Sequence, residues 1–548
     1  MISGECDAPR VNLRNKETGK GRKVFKVKKL TRSEYFKLNT VQKLLYNIYL
    51  FFCAIPPILA SIGKAIWGGI KGFCKGIINE IVDTVKTFGK GTWQTKVSYL
   101  IMGFGNLSRG QILRGLLFLV AEVAFGFYMF GPAKLSVDGR MQNGVYWLEK
   151  FKTLGDIAPG EVYDPVLDTF VRVNGDNSLD ILLYGVLTLI LIVAMVCAWR
   201  MNIKQSKTVD ELVAKGKKLP KAKDDIKDFL DNKFHMTLLS VPLTGIICFT
   251  VLPIIIMIFV AFTNYGRELD GYSNLFTWVG LQNFSTLFGG ENNDSNLPYA
   301  FGQILKWTMT WALFATFTNY FLGMLVALLI NKKGIKFKKL WRGILVLTIA
   351  IPQFVSLLYV GKLFAKNGLV NGFLFKLGLI DVPIDFWGNS DIGRVLVILI
   401  NIWIGIPYLM LMATGILMNI PEDLYESSRI DGANAVQQFT KITLPYMLFI
   451  TGPYLLTSFI GNINNFNVMF LLTNGAITNP ELSTHGIAAG SASDYDLLVT
   501  WLFNVTTGAE SNYKLAAVLA IMIFVVVATL SVIVYNVMPS NKNEEDFQ

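Results

Sequence analysis

Three polar side chains in an otherwise apolar stretch are the first candidates for chemistry. Ser458, Asn462 and Asn465 follow one another at steps of four and three within the run 446–471. On a continuous helix they share one face, and Asn464 points elsewhere. A polar side chain at membrane depth must face a partner or a water-filled cavity. Two uses fit. The groups can act as interhelical glue, at about 0.6–2 kcal/mol per polar contact. They can equally hold a polyhydroxyl ligand, because amides both donate and accept hydrogen bonds. A second candidate is Pro352-Gln-Phe-Val-Ser356, where proline breaks an apolar run midway. Such breaks line cavities, which puts Gln353 and Ser356 beside one. Glu122, inside another apolar run, reads as a packed, paired or neutral acid.

Other chemistry is missing from the chain. No G-x-x-x-x-G-K-[ST] phosphate loop occurs; Gly89-Lys-Gly-Thr92 is the nearest fragment and lacks the pattern. The chain is therefore not expected to bind or hydrolyse ATP. No nucleophile–base constellation stands out, which argues against an enzyme. The two histidines, His235 and His485, and five cysteines without CxxC spacing do not make a metal site. Cys197 and Cys248 lie in apolar runs, where cysteine behaves as a small hydrophobe.

The elements that must position the polar groups are membrane helices. Hydrophobic residues make up 52% of the chain and charged residues 16%, against about 45–50% and about 25% in soluble domains. A helix needs roughly 20 apolar residues to cross about 30 Å of hydrocarbon. Eight runs qualify, at about 112–134, 180–199, 237–263, 302–330, 340–361, 392–418, 446–471 and 513–537. They lack the alternation of a barrel, so an all-α polytopic membrane protein follows.

Charge sets the expected orientation. The net charge is +12, but the cations sit before and between the apolar runs. That placement excludes a nucleic-acid partner and matches cytoplasmic loops. The arm 10–32 carries ten cations, from Arg10 to Arg32, against Glu17 alone. Loops 200–235 and 332–342 are also basic. Loop 265–299 has Arg267 against Glu268, Asp270, Glu291 and Asp294, and loop 472–511 has no Lys or Arg. Eight spans with both termini inside satisfy these biases. No cleavable signal precedes the first apolar run near Leu44. Within 41–100, apolar residues recur at Ile62, Ile66, Ile70, Phe73, Ile77, Ile81, Val85 and Phe88, with Lys64, Lys71, Lys75 and Lys86 elsewhere on the wheel. This reads as an amphipathic helix on the inner membrane surface, with an extra hairpin in the bilayer as the alternative.

One polar loop stands apart. In 419–445, Asn419 suits a helix N-cap and Pro421 a first turn. Glu422 and Asp423 favour that positive helix end. Gly432 permits a turn that a side chain would block, and a second helix leads through Leu444-Pro445 into the next span. The result is a bracket projecting into the cytoplasm. Its fixed points are Glu426, Gly432, Ile442, Leu444 and Pro445. They resemble the coupling loop of ABC importer permeases: Glu-Ala-Ala, three residues, Gly, nine residues, Ile-x-Leu-Pro. Ser427 and Ser428 replace the two alanines.

The resemblance extends over about 237–537, which looks like the larger permease subunit of maltose-type importers. Trp278-Val-Gly-Leu-Gln-Asn-Phe284, Ile404-Gly-Ile-Pro-Tyr408, Ser458-Phe-Ile-Gly-Asn-Ile-Asn-Asn-Phe466 and Leu471-Leu-Thr-Asn-Gly475 carry it. It implies a type I ABC importer permease core and an oligosaccharide site on Ser458, Asn462 and Asn465. Tyr408 and Gly405 match further site positions; a tyrosine there can stack on a pyranose ring. It also implies that Glu426, Ser427, Ser428, Asp431, Gly432, Leu444 and Pro445 contact an ATPase. Gly461 stands where the maltose subunit has an aromatic residue, so one stacking surface is lost. The outer loop 265–299 is too short for the domain the enteric subunit carries there. Contact with a solute-binding protein must then use short loops, including 363–391 and 472–511.

The expected organisation is a basic cytoplasmic region 1–110, two spans with an outer loop and linker over 111–235, a permease core over 236–539 and a tail 540–548. Implied partners are a second permease subunit, two ATPase subunits using ATP and Mg, an extracytoplasmic solute-binding protein and an oligosaccharide, in a bacterial cytoplasmic membrane. The resemblance leaves room for a polyol or glycerol phosphate importer. An ion-coupled secondary transporter would need intramembrane acids beyond Glu122.

Overall fold

The computed structural model describes residues 40–537, apart from 137–138, 159, 165–167, 174, 267–274, 290–296, 333, 474–491 and 509–510. The basic arm 10–32, the tail 540–548 and much of the outer loops 265–299 and 472–511 lie outside the described residues. Residues 69–548 form one compact unit and residues 1–68 another. The described part of the smaller unit is the N-terminal portion of the helix α1 (Thr40–Lys90).

Two short helices follow, α2 (Trp93–Val97) and α3 (Phe104–Leu107). Next come α4 (Ile112–Phe130), α5 (Gly144–Lys150), the strands β1 (Gly160–Asp164) and β2 (Thr169–Val173), α6 (Ser178–Ala214), α7 (Ala222–Leu230) and α8 (Phe234–Val260). The remainder is α9 (Gln282–Leu287), α10 (Leu297–Asn331), α11 (Lys338–Ala350), α12 (Gln353–Leu363), α13 (Leu369–Lys376), α14 (Ser390–Leu417), α15 (Glu422–Ile430), α16 (Ala435–Ile463), α17 (Phe466–Thr473), α18 (Leu498–Thr507) and α19 (Tyr513–Val537).

Among the described residues, seven helices are long and apolar enough to cross a membrane: α4, α6, α8, α10, α14, α16 and α19. The pair α11–α12 makes an eighth if counted as one broken span, bent by 91° at Ile351–Pro352. Proline there lacks the amide hydrogen a helix needs and clashes with the preceding turn. Two other prolines act more gently. A π-helical turn at Ile247–Val251 precedes Pro253, and another at Phe439–Thr443 precedes Pro445. Each wide turn contains the carbonyl four residues back that the ring would strike, so the helix continues.

Three features of the fold stand apart from the expected layout. The apolar stretch 44–62 neither turns back nor breaks: α1 runs unbroken through Pro56 and Pro57. It is not among the candidate spans. The segment 135–179 between the first two spans holds the antiparallel hairpin β1–β2, with Gly160 opposite Val173 and Asp164 opposite Thr169. Among the described residues the chain is thus helical with one small sheet outside the spans. The run 446–471 is not one helix: α16 ends at Ile463, and α17 begins at Phe466.

The N-terminal elements lock together through polar contacts. The 37 residues of α6 extend about 55 Å at 1.5 Å per residue, well beyond the hydrocarbon. Its polar half carries Arg200, Lys204, Lys207 and Asp210. Asp210 pairs with buried Arg109 and accepts from the Thr95 hydroxyl at 2.7 Å. Asn202, fully buried, donates to the Ser98 carbonyl and accepts from the Gly103 amide, both at 2.9 Å. Gly103 has φ of 81°, and a Cβ there would lie 2.0 Å from the Gly115 carbonyl oxygen, so glycine is required twice over. Glu122 accepts from the Met102 amide at 2.7 Å. It is a paired structural acid, as its place in the run suggested.

The segment between α4 and α6 is pinned by Asp176. Its buried carboxylate takes the Lys150 ammonium at 2.9 Å and the amides of Asp156 and Ile157 at 3.0 and 3.2 Å. Burial pushes the Asp176 carboxyl up, but these donors outweigh it and hold it below the usual range. In the segment before α18, Asp496 is buried too. Burial raises its carboxyl to about 6, although it accepts from the Ser493 amide at 2.6 Å and from Asn504 at 3.1 Å.

Two outcomes follow for the purified protein. Lys150→Met strands the Asp176 charge and costs about 3–5 kcal/mol; a lowered Tm checks it, and adding Asp176→Asn recovers part of the loss. Asp496 has a folded pKa above its ordinary value of 3.8. Its contribution is therefore greatest in acid and is lost as pH rises through about 6. The Tm advantage of Asp496→Asn over wild type should grow between pH 5 and pH 7, and a constant difference would contradict the assignment.

Candidate transport path and coupling surface

The central helix is α10. It packs on α14 through Gly323, where an added Cβ would lie 2.5 Å from the Leu409 Cβ. Tyr320 meets Thr451 of α16 at 2.8 Å, hydroxyl to hydroxyl. The Trp311 indole, fully buried, donates to the Asn462 carbonyl at 3.1 Å. These three contacts hold α14 and α16 against α10.

The candidate path residues divide into two groups. Gln353, Ser356 and Tyr408 line one cavity of about 300 Å³ with Thr348, Trp403 and Ile404. The break at Ile351–Pro352 thus borders a cavity, and the Tyr408 ring, 53% exposed, stands at it. Trp403 and Thr348 are lining residues that sequence reasoning missed. Nothing distinguishes a cavity-facing tryptophan from any other in an apolar run.

Ser458, Asn462 and Asn465 do not line this cavity. Ser458 hydrogen-bonds the Tyr454 hydroxyl, and the Tyr454 ring lies 6.2 Å from that of Tyr408. Asn462 donates to the Thr316 hydroxyl of α10 at 3.0 Å. Asn465 lies past the end of α16. Its side-chain oxygen accepts from the Val468 amide at 3.2 Å, capping α17, and its nitrogen reaches the Asn462 oxygen at 3.5 Å. The shared face expected over these residues is therefore interrupted before Asn465, because the helix ends at Ile463. Gly405 faces α10 closely: a Cβ would lie 2.4 Å from the Asn319 amide nitrogen. Asn319 and Asn401 are buried, and each has one amide atom without a protein partner. Gly461 is exposed, with open space where a side chain would project.

The bracket 419–445 is held together from within. Its first helix starts at Glu422, with Pro421 rather than Asn419 at the cap position and Glu422 and Asp423 in the first turn. Gly432, at φ 77°, turns the chain. Asn434 then caps the second helix reciprocally with Gln437. The Tyr425 hydroxyl meets that of Thr443 at 2.8 Å, and Gln438 donates to the Ser428 hydroxyl at 2.8 Å. Ser428 in turn donates to the Tyr425 carbonyl at 2.8 Å. Leu444 is half-buried against the α10–α14–α16 core, whereas Pro445 is exposed. The outward side presents Glu426, Ser427 and Asp431, together with Ile430 at 87% and Val436 at 70% exposure. Behind the bracket, a cavity of about 1190 Å³ reaches the C-terminal end of α10 at Asn331. Ser428 therefore does what alanine cannot, bridging the two arms of the bracket. Removing the Asn465 cap in Asn465→Ala should cost about 1 kcal/mol, read as a lowered Tm, whereas Asn465→Asp should keep it.

The family described as "Binding-protein-dependent transport system inner membrane component" matches residues 319–540, which include the bracket and α14, α16 and α19. The maltodextrin transport system permease protein MalC of Streptococcus pneumoniae is 31% identical over 80% of this chain and 93% of its own length. MdxF of Bacillus subtilis, a maltodextrin permease, is 30% identical over 81% of this chain and 95% of its own. GanP of Bacillus subtilis, a galactooligosaccharide permease, is 28% identical over 81% and 97%. With its multiple membrane-spanning helices and a relative matched across nearly its whole length, this chain belongs to the family of binding-protein-dependent transport system inner membrane components.

Proposed function

We propose that this protein is the larger permease subunit of an ATP-driven oligosaccharide importer. The observation that carries the reading is the continuity of α16. One helix runs from Ala435 in the bracket to Ile463 beside the polar groups of the path, about 43 Å at 1.5 Å per residue. A push on the bracket therefore moves Ser458 and Asn462 directly. The similarity to maltodextrin and galactooligosaccharide permeases supports a sugar as cargo.

In this reading Glu426, Ser427, Asp431, Ile430 and Val436 dock in a separate ATPase subunit, where ATP and Mg are bound. Ile430 and Val436 supply apolar contact, and Glu426 supplies a charge for a cation on the ATPase. A second permease completes the pore. A solute-binding protein delivers sugar from outside, and both termini lie inside. Tyr408 and Trp403 offer ring faces to the pyranose, while Gln353, Ser356, Ser458, Asn462 and Asn465 offer hydroxyl and amide partners. Gly405 keeps α14 close to α10, and Gly461 leaves room where a bulky side chain would narrow the path. ATP-driven closure of the ATPases turns the path outward; its release reopens the path inward.

Labelled-oligosaccharide uptake in cells carrying the whole transporter tests this. Glu426→Lys should abolish uptake of every sugar. Tyr408→Ala should weaken uptake while the complex still assembles, and Gly461→Phe should shift preference toward shorter saccharides. Full uptake by Glu426→Lys would remove the coupling assignment. An unchanged sugar profile in both path variants would remove the path assignment.

A further inference from the structure

The C-terminal half of α1 has three distinct faces. Glu80, Asp83 and Thr84 turn toward the polar half of α6. Glu80 pairs with Arg200 and, at 2.7 Å, with Lys204; Asp83 pairs with Lys207 at 2.8 Å. The Tyr99 hydroxyl adds a bond to the Thr84 carbonyl at 2.7 Å. Lys204 and Arg200 hold the Glu80 carboxyl down at about 2. At 100° per residue, the adjoining arc collects Ile70, Phe73, Ile77, Ile81, Val85 and Phe88. All six are exposed, from 46% at Ile77 to 70% at Phe73. The remaining arc carries Lys71, Lys75 and Lys86, also exposed.

Arg200 is the first charged residue after the apolar run of α6. Its pairing with Glu80 and Asp83 fixes this part of α1 at the level where the second span leaves the hydrocarbon. An exposed apolar row at that level needs a cover, and charge indicates which. The acids of this segment, Glu80 and Asp83, are engaged by α6. Within residues 69–88, Lys71, Lys75 and Lys86 are the only charges on the far side of the apolar row. An apolar row flanked by lysine suits an anionic lipid surface, where the stems of Lys71 and Lys75 lie along the apolar boundary and their ammonium groups reach phosphate.

We propose that residues 69–88 are a lipid-docking helix. The apolar row enters the inner leaflet, the lysine arc holds anionic headgroups, and the Glu80 and Asp83 pairs tie the helix to the second span. The leaflet assignment rests on the inside orientation given under the proposed function; the docking itself does not. The binding chemistry is that of a phosphate-bearing lipid interface rather than a protein groove.

Cys74 lies on the apolar side and is exposed, so it provides a probe. The whole transporter, with Cys6, Cys53, Cys197 and Cys248 changed to serine, is labelled at Cys74 with an environment-sensitive fluorophore. It is then placed in nanodiscs of phosphatidylcholine alone or with phosphatidylglycerol. A shallow spin-labelled lipid should quench emission by about two-fold or more in the anionic discs, and Lys71→Gln/Lys75→Gln/Lys86→Gln or high salt should reduce that quenching. Water-like emission in every lipid would overturn the proposal. Blue-shifted emission that no lipid quencher reaches would overturn it in favour of a protein cover. Quenching equal in neutral discs and in the triple variant would overturn the headgroup role of the lysines. Orientation is read separately, from labelling of Lys217→Cys by an impermeant maleimide. Reaction from the outer side alone would move the helix to the other leaflet without touching the quenching result.

Discussion

Gly323 of α10 lies so close to Leu409 of α14 that a single methyl group would not fit, and Gly405 lies as close to Asn319 in return. Within a bilayer, apolar surface gives helices no reason to prefer one another over lipid, so close backbone approach and polar contacts must do the work. The α10–α14 contact supplies the approach. Tyr320 with Thr451, Trp311 with the Asn462 carbonyl and Asn462 with Thr316 supply the polar contacts to α16. The cavity wall, the residues near Tyr408 and the helix that leaves the bracket all take their positions from this packing on α10.

Asparagine and proline shape what that packing presents. Pro352 ends α11, and the bend opens the space that Gln353, Ser356 and Tyr408 line. Asn465 ends the sequence of events on α16 by capping α17. Both breaks leave backbone groups without helical partners, which hydrocarbon does not forgive. They sit where side chains or a cavity can satisfy those groups. Pro445 is handled differently: a widened turn lets α16 pass from the bracket into the membrane as one rod. A rod transmits displacement and a break would absorb it.

The region ahead of the family-matched segment obeys another logic. It combines an apolar core around Trp147, Ile181, Leu182 and Val260 with charged joints at its other end: Arg109 with Asp210, Arg114 with Asp225, and the Glu80 and Asp83 pairs with α6. Arg109 and Asp225 are largely buried, so each needs its partner. The pairs of Glu80 and Asp83 are more exposed and weaker, and salt screens them. This end of the molecule is therefore firmly built around α6, with α1 attached by contacts that ionic conditions can loosen.

The sequence by itself determined the spans, because hydropathy over twenty residues is a sum that neighbours in space do not alter. It determined the bracket and its turn as well, since Gly432 and the Asn434–Gln437 cap act within a few residues. Tertiary structure decided the rest. Whether Asn462 serves a ligand or α10 depends on Thr316, which lies 146 residues away. Asn465 left the expected face because α16 stops two residues before it, an ending that helical periodicity does not encode. Trp403 and Thr348 became cavity residues only through the bend at Pro352. Glu80 and Asp83 find charged partners only because α6 brings Arg200 and Lys207 to them. Local terms such as burial length, capping and glycine turns are carried by the residues themselves; the facing of a polar side chain is set by whichever distant group reaches it first.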